Sequence, residues 1–310
     1  MLKFRLVYYI FSGALIFASV ISLALFGLNL GIDFTGGALL ELEVTPHSAA
    51  RANDIERWLE EADEPKFGDV RVQETKDAYF IRLRSLSEQE REQTLALIEN
   101  GASVAAKTAG IEAEVGVTEK RFESIGPIIG KELKEKALLQ LLVAISGIIL
   151  YMAWAFRNVG KVKSEKTLTW KFAIVTVVAL IHDVTITTGV FALLGKFFKV
   201  EIDSSFIAAI LLVLGYSVND TIVVFDRIRE NFIRHRSIQN LEVVINKSIS
   251  DTMTRSLNTS LTTLLVLFSL LLFGGAPTFY FVLALTIGIG VGTYSSIFLA
   301  SPLLYDWEKR

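Results

Sequence analysis

The chain contains no cysteine, which excludes a disulfide framework and thiolate chemistry. A domain facing an oxidising compartment would have to hold itself together by packing alone. A large excess of charge is also missing. With 31 Lys and Arg against 33 Asp and Glu the net charge is −2, so the totals give no footprint for nucleic acid. No metal, phosphate or nucleophile motif is evident either, and neither a catalytic residue nor a cofactor is expected. What the sequence has in excess is apolar surface: 52% of residues are hydrophobic and the mean hydropathy is +0.47. Soluble globular proteins run at about 45–50% even with glycine counted. The surplus belongs in lipid.

Six runs are long enough to cross a hydrocarbon core, which takes about 20 helical residues. They lie near 6–29, 137–156, 172–195, 204–225, 257–274 and 278–304. The first follows Lys3 and Arg5 as a signal peptide would, but its length of about 24 residues exceeds the roughly 7–15 of a signal core, so an uncleaved span is expected. Basic residues then set the orientation. Arg157, Lys161, Lys163, Lys166 and Lys171 follow the second run, and Arg227, Arg229, Arg234, Arg236, Lys247 and Arg255 follow the fourth. The loop at 196–203 offsets Lys196 and Lys199 with Glu201 and Asp203, and the loop at 274–278 is uncharged. The positive-inside rule therefore puts both termini in the cytoplasm and residues 31–136 outside.

The chain divides into a first span at 1–30, an extracytoplasmic α+β domain at 31–136 and a five-helix bundle at 137–306. In the domain, strand-like alternation at 38–45, 68–74, 78–84 and 111–119 is interrupted by helical spacing at 48–63 and 87–108. The order βαββαβ points to two helices on one face of a four-stranded antiparallel sheet, the ferredoxin-like arrangement. His47, in a Pro-His-Ser turn, is expected to be a solvated loop residue.

Ionisable groups inside the spans carry the functional signal, since a charge at mid-membrane costs at least about 2.5–3.5 kcal/mol on insertion scales. Asp183 lies in the third span beside His182, with Thr187 on the same helix face. Asp220 lies in the fourth, with Tyr216, Ser217 and Asn219 around it. Arg255 opens the fifth, followed by Thr259, Thr262 and Thr263. A carboxylate held ionised by an arginine could take a proton when the two separate, because a nearby cation lowers its pKa and desolvation raises it. Asp220 and Arg255 are therefore expected within reach of each other, although static pairing that merely holds helices together would use the same residues. Gly288 and Gly292 form a GxxxG face suited to close packing and a candidate for a partner's approach. Gly31, Gly36 and Gly37, with Asp33 and Thr35, should shape a tight exit where the first span leaves the membrane.

Read together, GIDFTGG at 31–37, HDV at 182–184, LGYSVNDTIVVFDRIREN at 214–231, TRSLNTSLTTLLV at 254–266 and LFGG at 272–275 resemble the SecF family of protein-export membrane proteins. These belong to the RND-type transporters. The resemblance covers nearly the whole chain and implies an RND-type half: six transmembrane helices plus one ferredoxin-like periplasmic domain. It implies a multi-pass protein of the bacterial inner membrane that works with a SecD-like subunit and a SecYEG-type translocon, surrounded by lipid, on unfolded preproteins. It also implies proton coupling, with Asp220 as the proton-carrying carboxylate, Arg255 as its partner, and Asn219 and Thr259 as polar neighbours. His182 and Asp183 match the family without a proton step being assigned to them. Two other readings remain: a small-molecule or lipid transporter half of the same superfamily, and an intramembrane aspartyl protease, which would need Asp183 and Asp220 about 3 Å apart.

Overall fold

A computed structural model describes residues 1–62, 64–75, 78–111, 115–157, 167–234 and 241–309. Lys161, Lys163, Lys166 and Arg236, and residues 112–114 of the expected last strand, lie outside them. Two compact units emerge: Met1–Asn29 with Ala137–Arg310, and Leu30–Lys136.

The first unit is built on helices α1 (Arg5–Phe26), α4 (Pro127–Ala155, from Ala137 onward; its start belongs to the other unit), α5 (Thr167–Phe198), α6 (Ser204–Arg234), α7 (Leu241–Phe273) and α8 (Ala276–Ser295). A π-helical segment, Ser296–Ala300, continues α8 into α9 (Ser301–Lys309). Among the described residues six helical stretches are long and apolar enough to cross a membrane: Leu2–Phe26, Pro127–Ala155, Trp170–Phe198, Ser204–Phe232, Leu241–Phe273 and Thr278–Lys309. Most extend past the apolar runs. The fifth begins at Leu241 rather than near 257 because its first turns are amphipathic, burying Val244, Ile245, Ser248 and Ile249 on one side.

Helix α1 packs on α5, and α6, α7 and α8 pack on one another, with α8 also touching α5. Small residues permit this closeness. A Cβ at Gly189 would fall 2.3 Å from Ser19 Cβ, and one at Gly288 would fall 2.3 Å from Val213 Cγ2. Gly292 meets Ser217 in the same way, at 3.0 Å. The GxxxG face of the last span is thus spent inside the chain, against α6, and is not available to a partner. Phe156 stacks on Phe172 and Phe225 meets Phe172 edge-on, each with centroids 5.0 Å apart.

The second unit contains β1 (Gly37–Thr45), α2 (Ala52–Glu60), β2 (Arg71–Glu74), β3 (Tyr79–Leu83), α3 (Glu88–Thr108) and β4 (Gly116–Ile125). The antiparallel sheet has the order β2-β3-β1-β4, as the ferredoxin-like arrangement requires. The last strand lies later than expected because antiparallel pairing matches it to the whole of β1, from Gly37↔Ile125 to Thr45↔Gly116. Its core joins Leu40, Leu42 and Val44 of β1 to Tyr79 and Ile81 of β3, Ile55 and Leu59 of α2, and Ile98 and Ala102 of α3. Ser87 and Glu90 cap α3 reciprocally.

His47 is less free than a solvated loop residue: its Nε2 lies 3.3 Å from a Glu74 oxygen and its ring stacks on Tyr79. The Tyr79 hydroxyl donates to Ala50 O at 2.8 Å. Burial, then the charges of Glu74 and Asp54, push that phenol up to about 12.

Gly36 and Gly37 are required by geometry. Both adopt positive φ, +74° and +131°, and a Cβ on either would meet backbone at 2.8 Å, Pro127 Cα and Leu83 O respectively. Gly31 has an ordinary φ of −74° and acts through its carbonyl, which accepts from the Phe34 and Thr35 amides and the Thr35 hydroxyl. Asp33 lies in the helical turn Ile32–Thr35 so formed.

Candidate functional site

Three helices of the first unit turn polar side chains inward at one level. From α5 comes Asp183, fully buried, with Oδ1 2.9 Å from His182 Nδ1. Its Oδ2 accepts hydrogen bonds from Ser217 Oγ of α6 at 2.6 Å and from Ser295 Oγ of α8 at 2.9 Å. Both carboxylate oxygens are satisfied. Thr187, on the same helix face, donates to the Asp183 backbone carbonyl at 2.8 Å, the usual recourse of a hydroxyl inside an apolar helix. His182 Nε2 is also buried, and it has no hydrogen-bond partner among the described residues.

Asp220 lies one turn beyond Ser217 on α6 and is 6% exposed. Its carboxyl neighbours Ser256 of α7 and Ser296, the first residue of the π segment. Neither Oδ2 nor Ser256 Oγ makes a hydrogen bond of ordinary geometry among the described residues. The surrounding hydroxyls are nevertheless knitted together. Thr221 Oγ1 lies 3.0 Å from Ser296 Oγ and donates to Ser217 O at 3.1 Å. Tyr216 reaches across to Ser260 and Thr263 of α7 at 3.4 and 3.3 Å, and Thr293 donates to Ser260 at 2.7 Å.

The expected pairing of Asp220 with Arg255 is not formed: no ion pair joins them among the described residues, and Arg255 is exposed. The cause is the phase of α7. Its inward stripe is Ser248, Thr252, Ser256 and Ser260, which leaves Arg255 and Thr259 outside, with the Thr259 hydroxyl returning to Arg255 O at 2.9 Å. Asn219 is exposed as well. The predicted residues therefore split into two groups. Tyr216, Ser217, His182, Asp183 and Asp220 line the interior, whereas Asn219, Arg255 and Thr259 lie on the outer surface.

Sequence reasoning passed over Thr221, Ser256, Ser260, Thr293, Ser295 and Ser296. The available signal was the spacing of four between Ser248, Thr252, Ser256 and Ser260, and the serine doublet at 295–296 in an apolar run. That doublet sits where the helix becomes π-helical, an irregularity frequent at functional sites.

A buried carboxylate with an unmet oxygen is costly in hydrocarbon. Binding a proton removes the charge, so this site has the chemistry of a proton acceptor.

Comparison with known proteins places these features. The profile described as protein export membrane protein SecD/SecF, C-terminal, matches residues 105–310, and the SecD/SecF GG motif matches residues 21–46, which contain Gly36 and Gly37. A protein translocase subunit SecF from Thermobaculum terrenum is 39% identical over 310 residues, covering 99% of this chain and 93% of the relative. One from Pseudomonas aeruginosa is 38% identical, covering 90% and 81%. The crystal structure of SecDF, a translocon-associated membrane protein, from Thermus thermophilus superposes with a TM-score of 0.78 at 33% identity. All of this chain is matched, but it spans 38% of that one. With both profiles and full-length relatives in agreement, the chain is a multi-pass membrane protein that belongs to the SecD/SecF family of protein-export membrane proteins, on its SecF side.

Proposed function

We propose that this chain is the SecF-like half of a SecD/SecF complex, and that proton binding at Asp220 drives its contribution to preprotein export. The observation that carries the reading is the buried carboxyl of Asp220, with Oδ2 unmet and Ser256 and Ser296 at hand. A charge left so poorly solvated inside a span is retained for use.

The exposure of Arg255, Asn219 and Thr259 supports a partner face at this side of the bundle. An arginine open to the membrane needs an acidic or polar neighbour, and the chain's span of 38% of SecDF leaves a second half to supply it. In this reading Arg255 meets the SecD-like subunit, and a cycle of approach and separation sets the proton affinity of Asp220. The basic loops favour cytoplasmic termini in the bacterial inner membrane, with the α+β unit outside, where an unfolded preprotein leaves a SecYEG-type translocon.

The test is Asp220→Asn in the complex with its SecD-like partner, in membrane vesicles carrying the translocon. Assembly should persist and the proton-gradient stimulation of export should vanish. Full stimulation in an assembled variant complex sinks the proton role.

A further inference from the structure

His182 and Asp183 are not absorbed by that function. The pair is more deeply buried than Asp220, at 1% and 0% side-chain exposure, and its hydrogen bonds are lopsided. Two hydroxyls, Ser217 and Ser295, donate to Asp183 Oδ2, and His182 Nδ1 lies 2.9 Å from Oδ1; the paired hydroxyl donors suit an ionised carboxylate. His182 Nδ1 is then the hydrogen-bearing nitrogen, as its contact with Oδ1 requires. Nε2 is left buried with nothing to bond among the described residues.

A merely structural His–Asp pair would satisfy this nitrogen, as buried polar groups normally are satisfied. Neither state of the ring is comfortable here. With Nε2 bare, the pair carries a net negative charge in an apolar bundle. With Nε2 protonated, the pair is neutral overall and one N–H lacks an acceptor. Each protonation state of the ring thus carries a cost of its own.

The pair is also tied to Asp220 by two routes. Ser217, which donates to Asp183, is three residues before Asp220 on α6 and so on the same face. On α8, Ser295 donates to Asp183 while the next residue, Ser296, adjoins both Asp220 and Thr221. The two carboxylates are thus held by consecutive residues where the regular helix gives way to the π segment. The other titratable groups near the pair are phenols. Tyr294 of α8 stacks 6.4 Å from the His182 ring and donates to the Tyr8 carbonyl of α1, and Tyr216 of α6 points instead to α7. Helix α7 turns Ser256 and Ser260 inward and keeps Arg255 outside.

We infer that His182 with Asp183 is a second proton-holding site of this chain, taking its proton on His182 Nε2 and coupled to Asp220 through Ser217 and the Ser295–Ser296 pair. The proton adds to the Nε2 lone pair and leaves from it, with Asp183 ionised throughout. The coupling rests on the proton role given to Asp220 above.

The test is histidine-selective 15N NMR of the full chain in lipid nanodiscs from pH 5 to 9. The chain has three histidines, and His182→Gln assigns the signal. Nδ1 should stay protonated while Nε2 titrates, and Asp220→Asn should lower the midpoint by at least half a pH unit through loss of a neighbouring negative charge. A ring that keeps one state across the range overturns the inference. A titrating ring that is indifferent to Asp220→Asn overturns it too, because the site would then be uncoupled. In the export assay, Asp183→Asn in an assembled complex should displace the pH profile of proton stimulation; an unchanged profile argues for a structural role and against the inference. Failure of the Asp220 reading has another signature: full proton-stimulated export in Asp220→Asn while the His182 midpoint still shifts.

Discussion

The two units of this chain differ in what they bury beside their apolar cores. In the α+β unit the interior is Leu40, Leu42, Ile55, Tyr79 and Ile81, and the charged side chains lie outside. In the membrane unit an apolar core that includes Met152, Phe172 and Phe225 is joined by equally buried polar side chains, Asp183, Ser217, Thr221, Ser295 and Ser296, while Leu142, Phe197 and Phe273 are exposed. Water expels apolar groups and hydrocarbon does not. The apolar core of the α+β unit is therefore a source of stability, whereas the polar cluster buried in the membrane unit has to be explained by what it does.

The sharpest test of this contrast truncates leucines in both units. Leu40→Ala should destabilise residues 30–136 by about 2–5 kcal/mol, the range for core truncation, seen as faster amide exchange there. Leu142→Ala, on a 64% exposed position of α4, should stay within about 0.5 kcal/mol; a large loss there would break the comparison. Close packing inside the membrane unit comes next. Gly189→Ala drives a methyl into Ser19 and should cost about 1–3 kcal/mol as overpacking in a detergent unfolding titration. Gly147→Ala, with nothing within 4 Å, is the control.

Polar contacts should matter less to stability than to function. Tyr216→Phe removes the long bonds to Ser260 and Thr263 and should cost about 0.6 kcal/mol, the average for membrane hydrogen bonds. The smallest effect belongs to Glu90. Arg84 and then the Ser87 cap hold its carboxyl at about 2, below the ordinary 4.5. The folded unit binds this proton more weakly than the unfolded chain, so the contribution is fully present above pH 4.5 and disappears as the pH falls through about 2. A carboxyl titration of Glu90 by NMR should show that depressed midpoint, and Arg84→Gln should raise it.

Length and hydropathy were enough to read the six spans, and alternation with helical spacing was enough to read the α+β order. Asp183 and Asp220 were visible because a carboxylate stands out against an apolar run. The facing of α7 was not. Ser248, Thr252, Ser256 and Ser260 make one polar stripe and Arg255, Thr259 and Thr262 make another beside it; in lipid, polarity alone does not say which points inward. Ser295 and Ser296 were hidden for a related reason, since serines within a span commonly bond their own helix. Their role depends on Gly292 and Gly288 letting α6 close enough to receive them.

The π segment also resets the rotation of the last helix. Accommodating an extra residue in one turn shifts all that follows by about 100° relative to an uninterrupted helix. Up to that point the buried positions run through Val282, Leu285, Ile289 and Thr293; beyond it they continue through Ile297, Ser301, Leu304 and Tyr305. Beyond the segment Glu308 meets Lys171 at 2.8 Å and Trp307 is 40% exposed. Removing one residue between 296 and 300 would turn the final helix back by that angle, swing Glu308 away from α5 and bring the other side of α9 inward. The end of the chain is thus indexed to the site by a single residue.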